Sequence, residues 1–267
     1  IRDITIGQYY PAESVIHRLD PRVKLVGTLT FIISLFLHRS FLMYLVAAVF
    51  LTIVIKASKV PFRFMIKGLK AIMVLLLITV VFNMFLTPGT PLIRIWKLTL
   101  TVEGVKQAAF MAIRLAFLIV GSSVMTLTTT PNHLTDGMEK GLAPLNKLHV
   151  PVHEVSMIMS IALRFIPILL EETDKIMKAQ EARGADFDSG NLIQKAKSLV
   201  PLLVPLFISA FRRANDLAMA MEARGYRGGE GRTKMKPLIY QKRDRMAYGV
   251  LLGYLAVMIL VGQFAPF

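Results

Sequence analysis

From Leu25 to Ile55 the chain carries a single formally charged side chain, Arg39. A helix that is apolar around its whole circumference must be enclosed on every side, either by the core of a large protein or by a lipid bilayer. Composition decides between the two. The 267 residues are 54% hydrophobic and only 18% charged, with mean hydropathy +0.56, and this describes an integral membrane protein.

The spans are read from the ends of the apolar runs. L-D-P-R-V-K-L at Leu19 to Leu25 gives a helix start, with Asp20 as N-cap and Pro21 as first helical residue. Spans are predicted at about 22–37, 41–55, 65–86 and 104–127, with a fifth at about 246–264, and His38-Arg39-Ser40 breaks the first pair. The link from Lys56 to Lys70 holds Lys56, Lys59, Arg63, Lys67 and Lys70 without an acidic residue, which places it in the cytoplasm. The N-terminus is therefore expected inside and the C-terminus outside. Trp96 suits an interfacial anchor in the outer loop after T-P-G-T-P, beside Arg94 and Lys97.

The net charge of +15 would suit nucleic acid, but the cations flank apolar runs rather than forming an aromatic-interleaved surface, so no nucleic acid is expected. There is no cysteine, hence no disulfide and no thiolate chemistry. The opening residues lack the pattern of a cleaved signal peptide, and the first span is expected to serve as the insertion signal.

Residues 1–130 thus read as an N-terminal transmembrane region, 131–242 as a cytoplasmic helical domain and 243–267 as a C-terminal span. In the middle segment charges of both signs interrupt the apolar residues. Two long amphipathic helices are predicted there, about Val152 to Ala182 and Leu192 to Ala223, each roughly 45 Å long at 1.5 Å per residue. Pro167 in the first, and Pro201 and Pro205 in the second, are expected to kink them. The fold class is all-α: about five transmembrane helices plus this cytoplasmic pair.

Both predicted helices end in the same tetrapeptide, Glu181-Ala182-Arg183-Gly184 and Glu222-Ala223-Arg224-Gly225. Capping explains part of this, with Gly184 and Gly225 as left-handed caps and Arg183 and Arg224 complementing the macrodipole. Capping does not demand Glu-Ala-Arg twice. A projecting Arg beside a small Ala, where the backbone turns away at Gly, suits a helix tip inserted into a groove lined with acceptors or carboxylates. Two equivalent tips imply two equivalent grooves.

With L-D-P-R-V-K-L, L-T-T-T-P at Leu127 to Pro131, R-F-I-P-I-L-L-E-E at Arg164 to Glu172 and the paired Ala-Arg-Gly ends, the chain resembles the transmembrane T component of energy-coupling-factor transporters. These are a branch of ATP-binding-cassette importers for vitamins and transition-metal ions. The resemblance covers nearly the whole chain. It implies that the two helices are coupling helices that cross in the cytoplasm, and that Ala182, Arg183, Gly184 and Ala223, Arg224, Gly225 dock on two cytosolic ATPase subunits. It further implies a substrate-binding membrane subunit as third partner, a prokaryotic plasma membrane, no catalysis by this chain, and no cofactor of its own, since ATP and magnesium are bound by the ATPases. Met157, Met159, Met177, Met219 and Met221 offer an adaptable face for sliding rods, or serve ordinary packing.

Other candidates are weaker. Gly225 to Thr233, G-Y-R-G-G-E-G-R-T, lacks the order of a phosphate-binding loop. His149 and His153 have metal-ligand spacing, but Pro151 lies between them and no third ligand is evident, so a helix-entry loop accounts for them and no metal site is expected. No nucleophile, base and oxyanion set is apparent; Ser and Thr within apolar helices are expected to bond to the preceding turn. Arg114, near the middle of the fourth span, needs a partner, either inside the chain, with Asn83 as candidate, or on the substrate-binding subunit. Gly249 and Gly253 permit close helix contact. Two rival functions remain open: a self-contained secondary transporter, which needs paired charges at the midplane, and a membrane enzyme acting on lipid-linked substrates, which needs clustered Asp or His.

Overall fold

A computed structural model describes residues 9–37, 40–95, 98–185, 187, 191, 197–228 and 237–264. Trp96, Lys97, the His38-Arg39 break, residues 192–196 at the expected start of the second long helix and 229–233 of the Gly-rich segment lie outside these. Eight α-helices occur among the described residues: α1 Pro21–Leu37, α2 Phe41–Ser58, α3 Phe62–Leu86, α4 Val102–Thr128, α5 Pro131–Leu142, α6 Val152–Glu181, α7 Val200–Ala223 and α8 Lys242–Phe264. A short antiparallel hairpin, β1 Pro91–Ile95 and β2 Leu98–Thr101, joins α3 to α4, and a 3-10 helix, Ala143–Leu148, precedes α6. The fold is that of an all-α integral membrane protein.

Local chemistry fixes the helix starts. Asp20 Oδ1 accepts the Arg22 backbone N–H at 2.9 Å, an N-cap bond that leaves Pro21 where its missing N–H costs nothing. Thr101 Oγ1 accepts from Gly104 N–H at 3.0 Å and donates to the Thr87 carbonyl at 2.8 Å, so one hydroxyl caps α4 and ties it to the end of α3. At α8, Asp244 Oδ2 reaches back to the Gln241 N–H at 2.8 Å, half of a capping box. Its Oδ1 accepts the Asp20 N–H at 2.9 Å, joining the start of α8 to the start of α1.

The chain divides into two compact units, 1–141 with 238–267, and 142–237. In the first, α4 packs against α1, α2 and α3, and α8 against α1 and α2. The core is built from Phe31 and Leu35 on α1, Met43, Tyr44, Ala47 and Leu51 on α2, Val120, Val124 and Leu127 on α4, and Tyr254 and Met258 on α8. α1 and α4 approach closely because residue 121 is glycine: a Cβ there would lie 2.7 Å from Phe31 Cε1. Ser34 donates to the Phe31 carbonyl at 2.7 Å, so its single hydroxyl hydrogen is used and Tyr254 is the donor across the 2.7 Å contact to Ser34 Oγ. Thr52, Thr79, Ser122 and Thr128 bond to carbonyls one turn back, as expected of hydroxyls in apolar helices.

Several expectations change. α5 and the hairpin were not expected, and α5 clusters with the first unit. A Cβ at Gly249 or Gly253 would meet nothing within 4 Å, so this pair makes no close helix contact among the described residues. Four helices are long and apolar enough to cross a membrane, Phe41–Ser58, Val102–Thr128, Val152–Glu181 and Lys242–Gln263, with a shorter apolar helix at Ile72–Leu86. α6 is among them because Glu154 and Arg164 are its only formal charges before Glu171; the interrupting charges sit in its last third. α1, at 17 residues, spans about 26 Å, somewhat less than a ~30 Å hydrocarbon core.

Candidate functional site

The second unit holds both repeated tetrapeptides, and they end their helices identically. After α6, Gly184 N–H donates to the Glu181 carbonyl at 2.9 Å and Ala185 N–H to the Gln180 carbonyl at 3.0 Å. After α7, Gly225 N–H donates to Glu222 at 2.8 Å and Tyr226 N–H to Met221 at 3.0 Å. These are the paired bonds of a Schellman turn, closed by glycines with φ of 87° and 73°. Neither glycine is crowded, so the left-handed backbone alone is what favours Gly there.

Capping therefore accounts for the glycines and leaves the other residues unexplained. Glu181, Ala182 and Arg183, and likewise Glu222, Ala223 and Arg224, are exposed. Among the described residues neither guanidinium has an ion pair or hydrogen bond, and each stands at the outer edge of a turn whose backbone is already satisfied. A guanidinium so presented can fork onto a carboxylate or carbonyl pair of another molecule at little conformational cost.

The stems fix how the tips are arrayed. Gln180 Nε2 donates to the Pro201 carbonyl at 3.3 Å, and Arg213 Nη2 lies 3.0 Å from Glu172 Oε2. Moving back along α6 thus matches moving forward along α7: the helices run in opposite directions. The α6 tip lies beside the start of α7, and the α7 tip lies at its far end. With 24 residues in α7, about 36 Å separates them along the helix. Pro167 and Pro205 lie within continuous helices, whereas Pro201 sits in the first turn of α7 rather than in its interior. Of the methionines, Met159 and Met219 are exposed and Met157, Met177 and Met221 half-buried.

The first unit brings two of the motifs together. Lys24, from L-D-P-R-V-K-L, donates to the carbonyl of Thr128, in L-T-T-T-P, at 2.8 Å and to that of His17 at 3.2 Å. Tyr10 N–H donates to the Leu127 carbonyl at 2.9 Å. His17 sits in this joint, its Nε2–H bonded to the Tyr10 carbonyl at 3.0 Å and its Nδ1 2.7 Å from Ser14 Oγ. Burial holds the imidazole below its usual range, and the Lys24 charge acts in the same direction. For Asp20, burial pushes upward, but the hydrogen bonds from Arg22 and the charges of Arg22 and Lys24 together hold the carboxyl below its usual range.

Arg114 finds its partner inside the chain, but not at Asn83. Its Nε–H donates to Tyr44 Oη at 3.0 Å and its guanidinium lies 5.0 Å from the Phe36 ring centroid. Asn83 instead turns back to the Thr79 carbonyl at 2.8 Å. Tyr44, Asp244 and the Glu172–Arg213 pair escaped sequence reasoning because each partner is distant along the chain. His149 caps the 3-10 helix at φ 60°, and His153 lies in the first turn of α6. No group of three His, Asp or Glu suited to a metal occurs among the described residues.

A family model described as CbiQ, cobalt transport protein, matches residues 12–235. The chain is 59% identical over 263 residues to the energy-coupling factor transporter transmembrane protein EcfT of Clostridium kluyveri, covering 97% of each chain. It is 53% identical over 264 residues to the protein of the same name from Thermosediminibacter oceani, covering 99% of each. Against that of Bacillus subtilis it is 49% identical over 240 residues, covering 90% of this chain and 91% of the other.

Proposed function

Because the chain belongs to the family of transmembrane proteins of energy-coupling factor transporters, we propose that it is the coupling subunit of such an importer, docking two cytosolic ATPase subunits through Arg183 and Arg224. ATP binding and hydrolysis take place on those subunits. Their movement shifts α6 and α7, and the shift reorients a separate membrane subunit that has captured a vitamin or a metal ion. In this reading the N-terminus is cytoplasmic, as the basic link from Lys56 to Lys70 favours.

One observation carries the proposal. Two chemically identical arginine tips stand exposed at opposite ends of an antiparallel helix pair, about 36 Å apart, with no partner among the described residues. A single groove cannot hold both. Two separate acceptors, each reading Ala-Arg-Gly, can.

The test is co-purification with the ATPase subunits of the same transporter after co-expression. The wild-type chain should retain two ATPase protomers; Arg183→Ala with Arg224→Ala should lose them, or hydrolyse ATP without uptake. Normal retention and normal uptake by the double variant would refute the docking assignment.

A further inference from the structure

The docking tips leave the motif L-D-P-R-V-K-L without a task, although four of its side chains meet at one place in the first unit. The chain passes between its two units twice, leaving the first after Gly141 and returning to it at Leu238. Both connections are held by the first turn of α1.

On the outgoing side, Lys24 Nζ donates to the Thr128 carbonyl at the end of α4, and the next helix, α5, lies against Pro21. Gly137 makes that approach possible: it is buried, and a Cβ there would lie 2.9 Å from Pro21 Cβ and 3.4 Å from the Arg22 backbone nitrogen. On the returning side, Arg22 forks onto Asp20, Nε–H to Oδ1 at 3.0 Å and Nη2 to Oδ2 at 2.9 Å. Held in that plane, the guanidinium donates from Nη2 to the Leu238 carbonyl at 3.4 Å and lies 3.7 Å from the Tyr240 ring centroid. Asp20 N–H then meets Asp244 at the start of α8.

A helix start needs less than this. The cap on α1 is complete with Asp20 Oδ1 and one backbone N–H, and it calls for neither a ring over Arg22 nor a glycine on α5. We infer that the Asp20–Lys24 turn is a transmission seat: Pro21 receives the outgoing connection through Gly137, and Arg22 the returning one through Leu238 and Tyr240. A pull on either connection arrives along the chain at the same turn, so movement of α6 and α7 enters α1 and α8 together. This rests on the coupling function proposed above. Arg22, Gly137 and Tyr240 are positioning residues, and all their contacts here lie within the first unit.

The experiment uses the full chain with its ATPase subunits in nanodiscs, and hydrogen exchange with and without magnesium ATP. In wild type, ATP should change exchange in α6 and α7 and also in the first two turns of α1 and α8. Tyr240→Leu should keep the response of α6 and α7 and reduce that of α1 and α8 by about fivefold, the scale of one half-buried cation–π contact. Gly137→Ala should reduce it too. Tyr240→Phe keeps the ring, and Gly141→Ala adds a methyl that meets nothing within 4 Å, so both should respond as wild type does. A role in folding alone would shift basal exchange and leave the response to ATP intact. Full transmission by Tyr240→Leu and Gly137→Ala, or equal loss in the two control variants, would overturn the seat. Absence of any ATP response in wild-type α6 and α7 would instead overturn the coupling function itself, and the seat with it. If Gly137→Ala loses its thermal transition, Tyr240→Leu, at an exposed ring, carries the test, and an undiminished response in that variant refutes the seat.

Discussion

Gln180 Nε2 donates to the carbonyl of Pro201, and that carbonyl is free to accept because residue 205 is proline. In an unbroken helix the N–H of residue 205 would take it, and proline has none. The second proline thus leaves an open acceptor where the tip of α6 meets the start of α7.

Pro205→Ala should restore the helical bond and set it in competition with Gln180. The isolated stability of α7 should rise by up to about 3 kcal/mol, while the grip between α6 and α7 weakens. Thermal melting together with coupled uptake checks this: the expected outcome is an unchanged or higher transition temperature with poorer coupling.

Gly184→Ala and Gly225→Ala test the turn separately from the arginine. Each should cost about 1–2 kcal/mol from the left-handed backbone, with no steric clash added. Arg183→Ala and Arg224→Ala should leave melting unchanged and lower ATPase retention. If the arginine variants melt early and the glycine variants do not, the tetrapeptide is a capping device alone.

The Glu172–Arg213 pair is partly exposed, with 27% and 37% of the two side chains accessible, so its net worth is on the order of 0.5–1 kcal/mol. A double-mutant cycle with Glu172→Gln and Arg213→Gln should return a coupling energy of that size. A value near zero would show that solvent screens the pair fully.

Tyr44→Phe removes the acceptor of Arg114 Nε and should destabilise the first unit by about 1–3 kcal/mol. Asn83→Ala should be nearly neutral for the same unit, since among the described residues the Asn83 side chain bonds within its own helix. Unfolding in mixed detergent distinguishes the two variants.

His17 makes stability depend on pH. Its folded value lies below the ordinary 6.5, so the unfolded chain binds more protons in the window between the two. Stability is full above about pH 6.5 and is lost as pH falls through the folded value. Asp20 adds a second loss further down: its contribution is present above its ordinary 3.8 and disappears as pH falls through its depressed folded value. Melting of His17→Gln should show a flattened slope just below pH 6.5 and an unchanged one in the more acidic window.

The sequence showed most clearly what is local. The Asp20–Pro21 start, the Phe41 start of α2, the Leu86 end of α3, the Val152 start of α6 and the glycine stops all follow from residues within one turn of each other. Periodicity also placed α4 and α8 to within a few residues. The hairpin was missed because five residues of one strand and four of the other are too few for alternation to stand out beside two long apolar helices. α5 carries no strong helical signal because Pro131, Gly137 and Gly141 dilute it, yet it packs where Gly137 meets Pro21. An internal partner for Arg114 was anticipated, but it is Tyr44 rather than the candidate Asn83, because a span-to-span pairing depends on helix rotation and rotation is not written in spacing. The two glycine-closed turns with their exposed arginines were legible because they repeat; the antiparallel placement of their stems needed Gln180, Pro201, Glu172 and Arg213 in space.

The contact between Asp20 and Asp244 also bears on biosynthesis. The amide that opens the first helix finds its acceptor only on the last one, 224 positions later. Translation must therefore pass Asp244 before the entrance of α1 finds this partner, and in a chain arrested earlier that N–H is left to water. A chain cut before Asp244 lacks this latch, so proteases should attack it more readily at that end than the intact bundle.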